Sequence, residues 1–349
     1  MTQRREFLKA AIASSLAVSM SNATAANGSS HETFNVKPKR LASGNLIGLI
    51  APSTNVLEDE EIQFARDILR SFGFRVKFAK HLFDRFGYLA GKDKDRADDV
   101  NKMFADKQVD AIFCLRGGYG SPRILPYLDY GLIKKNPKIL IGYSDVTALL
   151  NAIYARTGLI TFHGPIATQN FTQYTVNNFK KVLFKPSKNI ELATPPPFEM
   201  VEGQAERDNR LTVIYPGKAF GRLIGGSLSL MVQLVGTPFE PDYKNKILVL
   251  EDVEEQPYRI DGMLTHLLLA GRLNQVAGIA FGKCSDCGSK GNSLSIEQVI
   301  RDRLGNLNIP VIKGMMIGHI NDMATLPIGA LATLDATKKR LVLEETAVS

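Results

Sequence analysis

The sequence predicts an α/β protein of two domains. Three observations carry this. From Asn45 to Phe162 short apolar runs alternate with stretches of helical spacing, the pattern of a mostly parallel sheet covered by helices on both faces. The pattern lapses over residues 169–218, which are polar and contain Pro195-Pro196-Pro197, and resumes near Ala219. The length, 349 residues, exceeds what one typical domain holds.

The chain begins with Arg4-Arg5, then Phe7-Leu8-Lys9, a small-residue apolar run from Ala10 to Met20, and Ala23-Thr24-Ala25. A basic start, a short apolar stretch and an A-x-A site are the parts of an export signal. The paired arginines resemble a twin-arginine leader, an address rather than an anchor. The expectation is a signal over residues 1–25, a periplasmic mature protein of 324 residues once those 25 are removed from 349, and disorder over residues 26–37. The apolar run is too short to span a bilayer, so no membrane insertion of the mature chain is expected.

In the first domain, residues 38–168, Asn45–Ala51 reads as a strand ending at Pro52-Ser53-Thr54. Residues 58–71 read as a helix with apolar positions Ile62, Ala65, Ile68 and Leu69, stopped by Gly73. Strand 74–79, helix 93–106 and strand 111–115 follow. The last runs into Arg116-Gly117-Gly118-Tyr119-Gly120. A helix starts near Ser121-Pro122, where proline is tolerated. Ile139–Ile141 is a buried strand, Val146–Tyr154 a helix and Leu159–Phe162 a strand before His163-Gly164-Pro165. Residues 169–218 read as an irregular linker. In the second domain, residues 219–346, Gly221–Ser227 leads into helix 228–234. Strands are expected at 246–250, 276–281, 310–313, 330–334 and 340–343, and helices at 260–273 and 296–304.

With 44% hydrophobic and 22% charged residues the composition is that of an ordinary globular protein. The net charge of +8 becomes +6 once the leader's three cations and one acid are removed. The basic residues form no block or stripe, so no nucleic-acid partner is expected. Of three cysteines, Cys114 lies in an apolar run and reads as core. Cys284-Ser285-Asp286-Cys287 has redox or zinc-knuckle spacing without a second pair; it reads as a local disulfide or a plain loop.

Ser144 follows the strand that ends at Gly142 and precedes a helix. A serine at such a turn either caps the helix or is presented as a nucleophile above the sheet end; alone, the stretch favours the cap. Gly142-Tyr143-Ser144-Asp145-Val146 lacks the second glycine of the α/β-hydrolase elbow. A nucleophilic serine needs a base and an orienting group. His163 and His319 both sit where a strand meets a glycine turn, and spacing does not choose between them. His31 and His81 lie in polar segments and His266 within a helix. Glu251 directly follows an apolar strand, with Asp252, Glu254 and Glu255 as local competitors. The glycine loop 116–120 fits neither nucleotide-binding spacing. Its N–H groups suit an oxyanion hole.

Several segments together resemble the LD-carboxypeptidase family of serine peptidases. They are Gly48–Ser53, Tyr88–Gly91, Leu115–Gly120, Ile141–Asp145, Phe162–Pro165, Gly221–Leu228, Leu250–Val253, Tyr258–Asp261 and Gly318–Asp322, in that order. The resemblance implies Ser144 as nucleophile, Glu251 as acid and His319 as base. It implies an oxyanion hole from the N–H of Asp145 and one of Gly117 or Gly118. It implies a glutamine-amidotransferase-like first domain, a smaller α/β second domain, and a site at their interface. It further implies a homodimer without metal or cofactor, acting on murein tetrapeptides. Arg116 is a candidate for the substrate's terminal carboxylate, since an arginine fork matches that group; a structural ion pair is its other reading. Two rivals differ in substrate or class. One is a sister branch that hydrolyses peptide-nucleotide antibiotics and is expected to stack the base on an aromatic, often tryptophan, of which this chain has none. The other is a non-catalytic periplasmic peptide-binding protein.

Overall fold

Alternating strands and helices do build two sheets. The structure is a computed structural model and describes residues 35–289 and 291–349. The leader expected over residues 1–25, and residues 26–34, lie outside the described residues.

The first lobe runs β1 (Leu46–Ile50), α1 (Glu60–Ser71), β2 (Arg75–Phe78), α2 (Asp93–Ala105), β3 (Ala111–Cys114), α3 (Ser121–Ile124), α4 (Tyr130–Lys135), β4 (Ile139–Gly142), α5 (Val146–Thr157) and β5 (Thr161–His163). Next come α6 (Gln173–Leu183), β6 (Ile190–Leu192) and β7 (Thr212–Tyr215). The second lobe runs β8 (Lys218–Ser227), α7 (Leu228–Leu234), β9 (Lys246–Val253), α8 (Pro257–Leu269), β10 (Gly278–Ser285), α9 (Ile296–Leu304), β11 (Val311–Lys313), β12 (Leu326–Ile328), β13 (Leu331–Asp335) and β14 (Arg340–Leu343).

The first sheet has the order β12-β5-β4-β3-β1-β2. Its strands are parallel except β12, which pairs antiparallel with β5. The central β3 and β4 are buried along their whole length, which is why they read as unbroken apolar runs rather than alternating ones. The second sheet has the order β6-β14-β13-β8-β9-β10-β11-β7. Strands β8 to β11 are parallel, and antiparallel strands flank them.

Several expectations need correction. Residues 169–218 are not an irregular linker: they hold α6 and two strands that join the second sheet at its edges. The α6 signal is present in sequence as Thr172, which caps Thr175 N–H, followed by Phe179, Val182 and Leu183 on one buried face. Residues 35–37 are not disordered: Val36 bridges Leu159 in parallel, with its N–H on Gly158 O at 2.9 Å. The 219–346 segment does not stay with its own sheet, since β12 closes the edge of the first. The bound at 346 is also too short, because Ser349 N–H donates to Pro38 O at 2.9 Å and Ala347 and Val348 are buried.

One packing feature sets the site. Helix α5 is buried nearly all round because it lies between the lobes. Its polar side chains grip β8: Asn151 exchanges both amide hydrogen bonds with Gly225, at 2.9 and 3.0 Å, and Thr147 Oγ1 accepts from Ser227 N–H at 3.0 Å. Such fully paired buried amides fix relative position. The helix that starts beside Ser144 is therefore tied to the strand next to β9, where Glu251 lies opposite Ser227.

Candidate active site

The turn after β4 is strained. Ser144 has φ 61°, a left-handed conformation uncommon for a residue with a side chain. The N-cap of α5 is Asp145, not Ser144, so the cap reading does not describe this serine. The buried Asp145 carboxylate accepts Gly120 N–H at 3.2 Å and Ser121 N–H at 2.7 Å, and Ser121 Oγ donates back to Asp145 O. These bonds lock the glycine loop to the serine turn. From the sequence, Asp145 is expected to contribute only its backbone N–H. The signal for its side chain was the free N–H groups of the loop that it satisfies.

The loop's N–H groups divide into two sets. Tyr119 N–H is committed to Thr54 Oγ1 at 2.8 Å, and those of Gly120 and Ser121 to Asp145. Among the described residues no protein acceptor takes the N–H of Gly117 or Gly118. Gly117 also lies against the serine: a Cβ there would come 2.9 Å from Ser144 Cβ and 3.2 Å from Oγ. Gly117→Ala is thus expected to displace the Ser144 side chain and cut turnover by about 100-fold or more. Neither Ser144 Cβ nor the Tyr143 carbonyl oxygen, 3.2 Å away, can swing aside as a side-chain tip would, so the serine turn must shift and the unfolding midpoint should fall modestly while the variant stays folded. Steady-state kinetics beside a thermal melt checks this.

Strand β9 brings Glu251 to the same seam, fully buried. Its Oε2 lies 2.8 Å from His319 Nδ1. A carboxylate only accepts, so Nδ1 carries the proton and Nε2 is left with its lone pair. The hydrogen bond forces a glycine before the histidine: Gly318 has φ +120°, and a Cβ there would sit 2.8 Å from Glu251 Oε2. Ser285 Oγ donates to His319 O at 2.8 Å, fixing the other side of the loop. The His319 ring lies edge-on to Tyr143, with centroids 4.9 Å apart, and Tyr143 directly precedes Ser144. No hydrogen bond joins Ser144 Oγ to His319 among the described residues. Such bonds often tighten only around substrate.

The two histidines left open by spacing differ here. Burial pushes His163 down to about 4, against the pull of Glu251. It is wholly buried and neither ring nitrogen has a hydrogen-bond partner among the described residues. For His319 burial also pulls downward. The hydrogen bond and charge of Glu251, helped by Asp252 and Glu254, outweigh it and hold the ring above its ordinary value. Of the competing acids, Glu254 is exposed and the other two are otherwise engaged. Asp252, raised to about 6 chiefly by burial, accepts from Ser229 and Val253 N–H, and Glu255 pairs with Arg259. Arg116 donates to Asn55 O at 3.3 Å and forms no ion pair among the described residues, so its structural-pair reading is not the arrangement seen. Cys284 and Cys287 form a disulfide, with Cα atoms 5.5 Å apart, and Cys284 lies opposite Asp252 in the sheet. Away from the seam, His81, Asp84 and Asp95 each bring a ligand atom within 4.8 Å of the others. There His81 Nδ1 and Asp84 Oδ2, 2.8 Å apart, satisfy one another.

A serine on a strained strand-to-helix turn, free N–H groups beside it, a carboxylate on β9 of the second sheet and the imidazole it bonds, on the loop between β11 and β12, define a two-lobed α/β protein with a hydrolase-like site at the seam. The LD-carboxypeptidase N-terminal domain profile matches residues 47–164 and the C-terminal domain profile residues 220–334. The chain belongs to the LD-carboxypeptidase family, a family of peptidases. It is 39% identical over 314 residues to a probable murein peptide carboxypeptidase of Bacillus subtilis, covering 89% of this chain and 95% of that one. The solved microcin C7 self-immunity protein superposes with a TM-score of 0.81 at 29% identity, covering 90% of this chain and all of the other. A tryptophan-to-phenylalanine variant of that protein is solved in complex with adenosine monophosphate. The muramoyltetrapeptide carboxypeptidase of Oxalobacter formigenes superposes with a TM-score of 0.72 at 27% identity, covering 86% and 98%.

Proposed function

We propose that this protein is a serine carboxypeptidase that removes the terminal D-alanine from murein tetrapeptides. The observation that carries the reading is the Glu251–His319 hydrogen bond lying against the Tyr143–Ser144 turn. His319 Nε2 takes the proton of Ser144 Oγ, and Glu251 stabilises the imidazolium that forms. Ser144 attacks the amide carbonyl at the L-centre of the diamino acid. The N–H groups of Asp145 and of Gly117 or Gly118 receive the oxyanion. His319 then gives its proton to the leaving amine, D-alanine departs, and water clears the acyl-enzyme by the same route. Arg116 is the cation for the terminal carboxylate. No step calls for a metal or cofactor.

The test is incubation with disaccharide-tetrapeptide and mass spectrometry of the products. Loss of one alanine supports the reading; tight binding without loss supports a peptide-binding protein. The microcin-type reading remains the second hydrolase reading because of the fold match. The chain lacks the tryptophan that such enzymes are expected often to use for stacking the base, which weakens this reading, although tyrosine and phenylalanine also offer aromatic faces. The Arg4-Arg5 leader supports export to the periplasm, where the substrate would be wall-attached or newly released peptide. Cell fractionation is expected to find the protein in the periplasm, and Arg4→Lys with Arg5→Lys should retain it inside; an unaltered cytoplasmic pool in both strains sinks this part. The homodimer stays an expectation from the family resemblance.

A further inference from the structure

The rim beside Ser144 carries an aromatic pair that the chemistry above does not use. Tyr88 and Tyr119 are 61% and 47% exposed, with ring centroids 5.6 Å apart in an edge-on arrangement. Phe86, 58% exposed, stands on the same short loop as Tyr88. Large exposed aromatics gathered at one place signal a contact surface. This one is also held in position. Tyr119 N–H is bonded to Thr54 Oγ1, Thr54 bridges Leu89, and Leu89 pairs with Phe86. The Tyr119 loop is the one whose Gly117 abuts Ser144.

We propose that Tyr88 and Tyr119 form a platform for a sugar ring, so that the preferred substrate is the sugar-linked peptide rather than the free one. This rests on the proposed function and deepens it. The reasoning is one of reach and chemistry. In a carboxypeptidase the leaving side holds a single residue, so a surface several ångströms from the serine serves the acyl side. Three extended residues on that side span about 10 Å. Tyr119 lies two residues beyond Gly117, at most about 7 Å along the chain, and its ring extends that reach to where a sugar attached to the third residue would lie. A pyranose has one face of C–H groups and a rim of hydroxyls. A tyrosine offers an apolar face with a hydroxyl at its edge, at little entropic cost for two χ angles.

The test compares kcat/KM for disaccharide-tetrapeptide and free tetrapeptide in wild type, Tyr88→Ala, Tyr119→Ala and Tyr88→Phe. The expected wild-type preference for the sugar-linked substrate is about tenfold or more. It should fall to near unity in the alanine variants, through the sugar-linked substrate, and persist in Tyr88→Phe, which keeps the ring. No wild-type preference, or an equal loss on both substrates, overturns the proposal. So does a change of molecular mass of either alanine variant in analytical ultracentrifugation, which would make the pair a contact between two copies of the chain. If wild type cleaves neither substrate, the proposed function fails by itself. The platform is then judged by calorimetric binding of the same two peptides: a sugar-dependent gain in affinity lost in Tyr88→Ala supports it, and equal affinities overturn it.

Discussion

Ser144→Ala is expected to reduce alanine release by about 10⁴- to 10⁶-fold while leaving the protein folded. The magnitude follows from losing the proposed nucleophile; what would remain is binding and oxyanion stabilisation acting on water. Ser144 sits at φ 61°, and alanine carries the same Cβ, so the variant relieves no backbone strain. Its thermal midpoint should match wild type. Ser144→Gly provides the contrast. It is equally inactive, yet glycine accepts the left-handed conformation freely, so it should be about 1 kcal/mol more stable than the alanine variant. A serine that merely fills a turn would give neither the loss nor a reason for the strain. Product analysis by mass spectrometry, with denaturant melts of both variants, reads the two effects separately. Residual activity within about tenfold of wild type in Ser144→Ala would remove Ser144 from the mechanism.

How much of this was legible beforehand depends on the range of each interaction. The strands β1, β3, β4 and β9 announce themselves as apolar runs, because both their faces are covered. Strand β12 does not: Leu326-Pro327-Ile328 is three residues with a proline. It pairs with β5 from over 160 residues away, a contact no local pattern encodes. Proline is tolerated there because β12 is an edge strand. Helix α6 was hidden by its neighbourhood, since the Pro195–Pro197 run made one irregular region of everything from 169 to 218. At the site, Ser144, Glu251 and His319 each looked plausible at a strand end, but the choice of His319 over His163 came from family resemblance. The distinction is physical and three-dimensional. Both histidines follow strand-like runs into glycine turns, yet only His319 meets a carboxylate, whereas His163 is enclosed between β4 and β12. The strain at Ser144 and the grip of Asp145 on the glycine loop are likewise tertiary facts.

Glu251→Gln separates the role of the acid from that of a packing residue. The glutamine amide is nearly the same size but can donate to Nδ1, which would move the ring proton to Nε2 and remove the lone pair proposed to take the serine proton. A loss of about 10⁴-fold in kcat is expected, the scale seen when a triad acid becomes its amide. The pH dependence supplies a second readout. His319 works as a base only when neutral, and Glu251 holds its pKa above the ordinary value, so the acid limb of kcat/KM in wild type should lie above about 6.5. Without the carboxylate, burial is the dominant remaining influence and lowers the pKa, so the limb of the residual activity should move to lower pH. Stability follows the same sign. A histidine whose folded pKa is raised contributes stability in full below its unfolded pKa, and loses it as pH rises through the folded value. The deficit of Glu251→Gln against wild type should therefore be larger near about pH 6 than near about pH 9. An acid limb that stays where it was, with a stability deficit indifferent to pH, would mean that Glu251 does not act on His319.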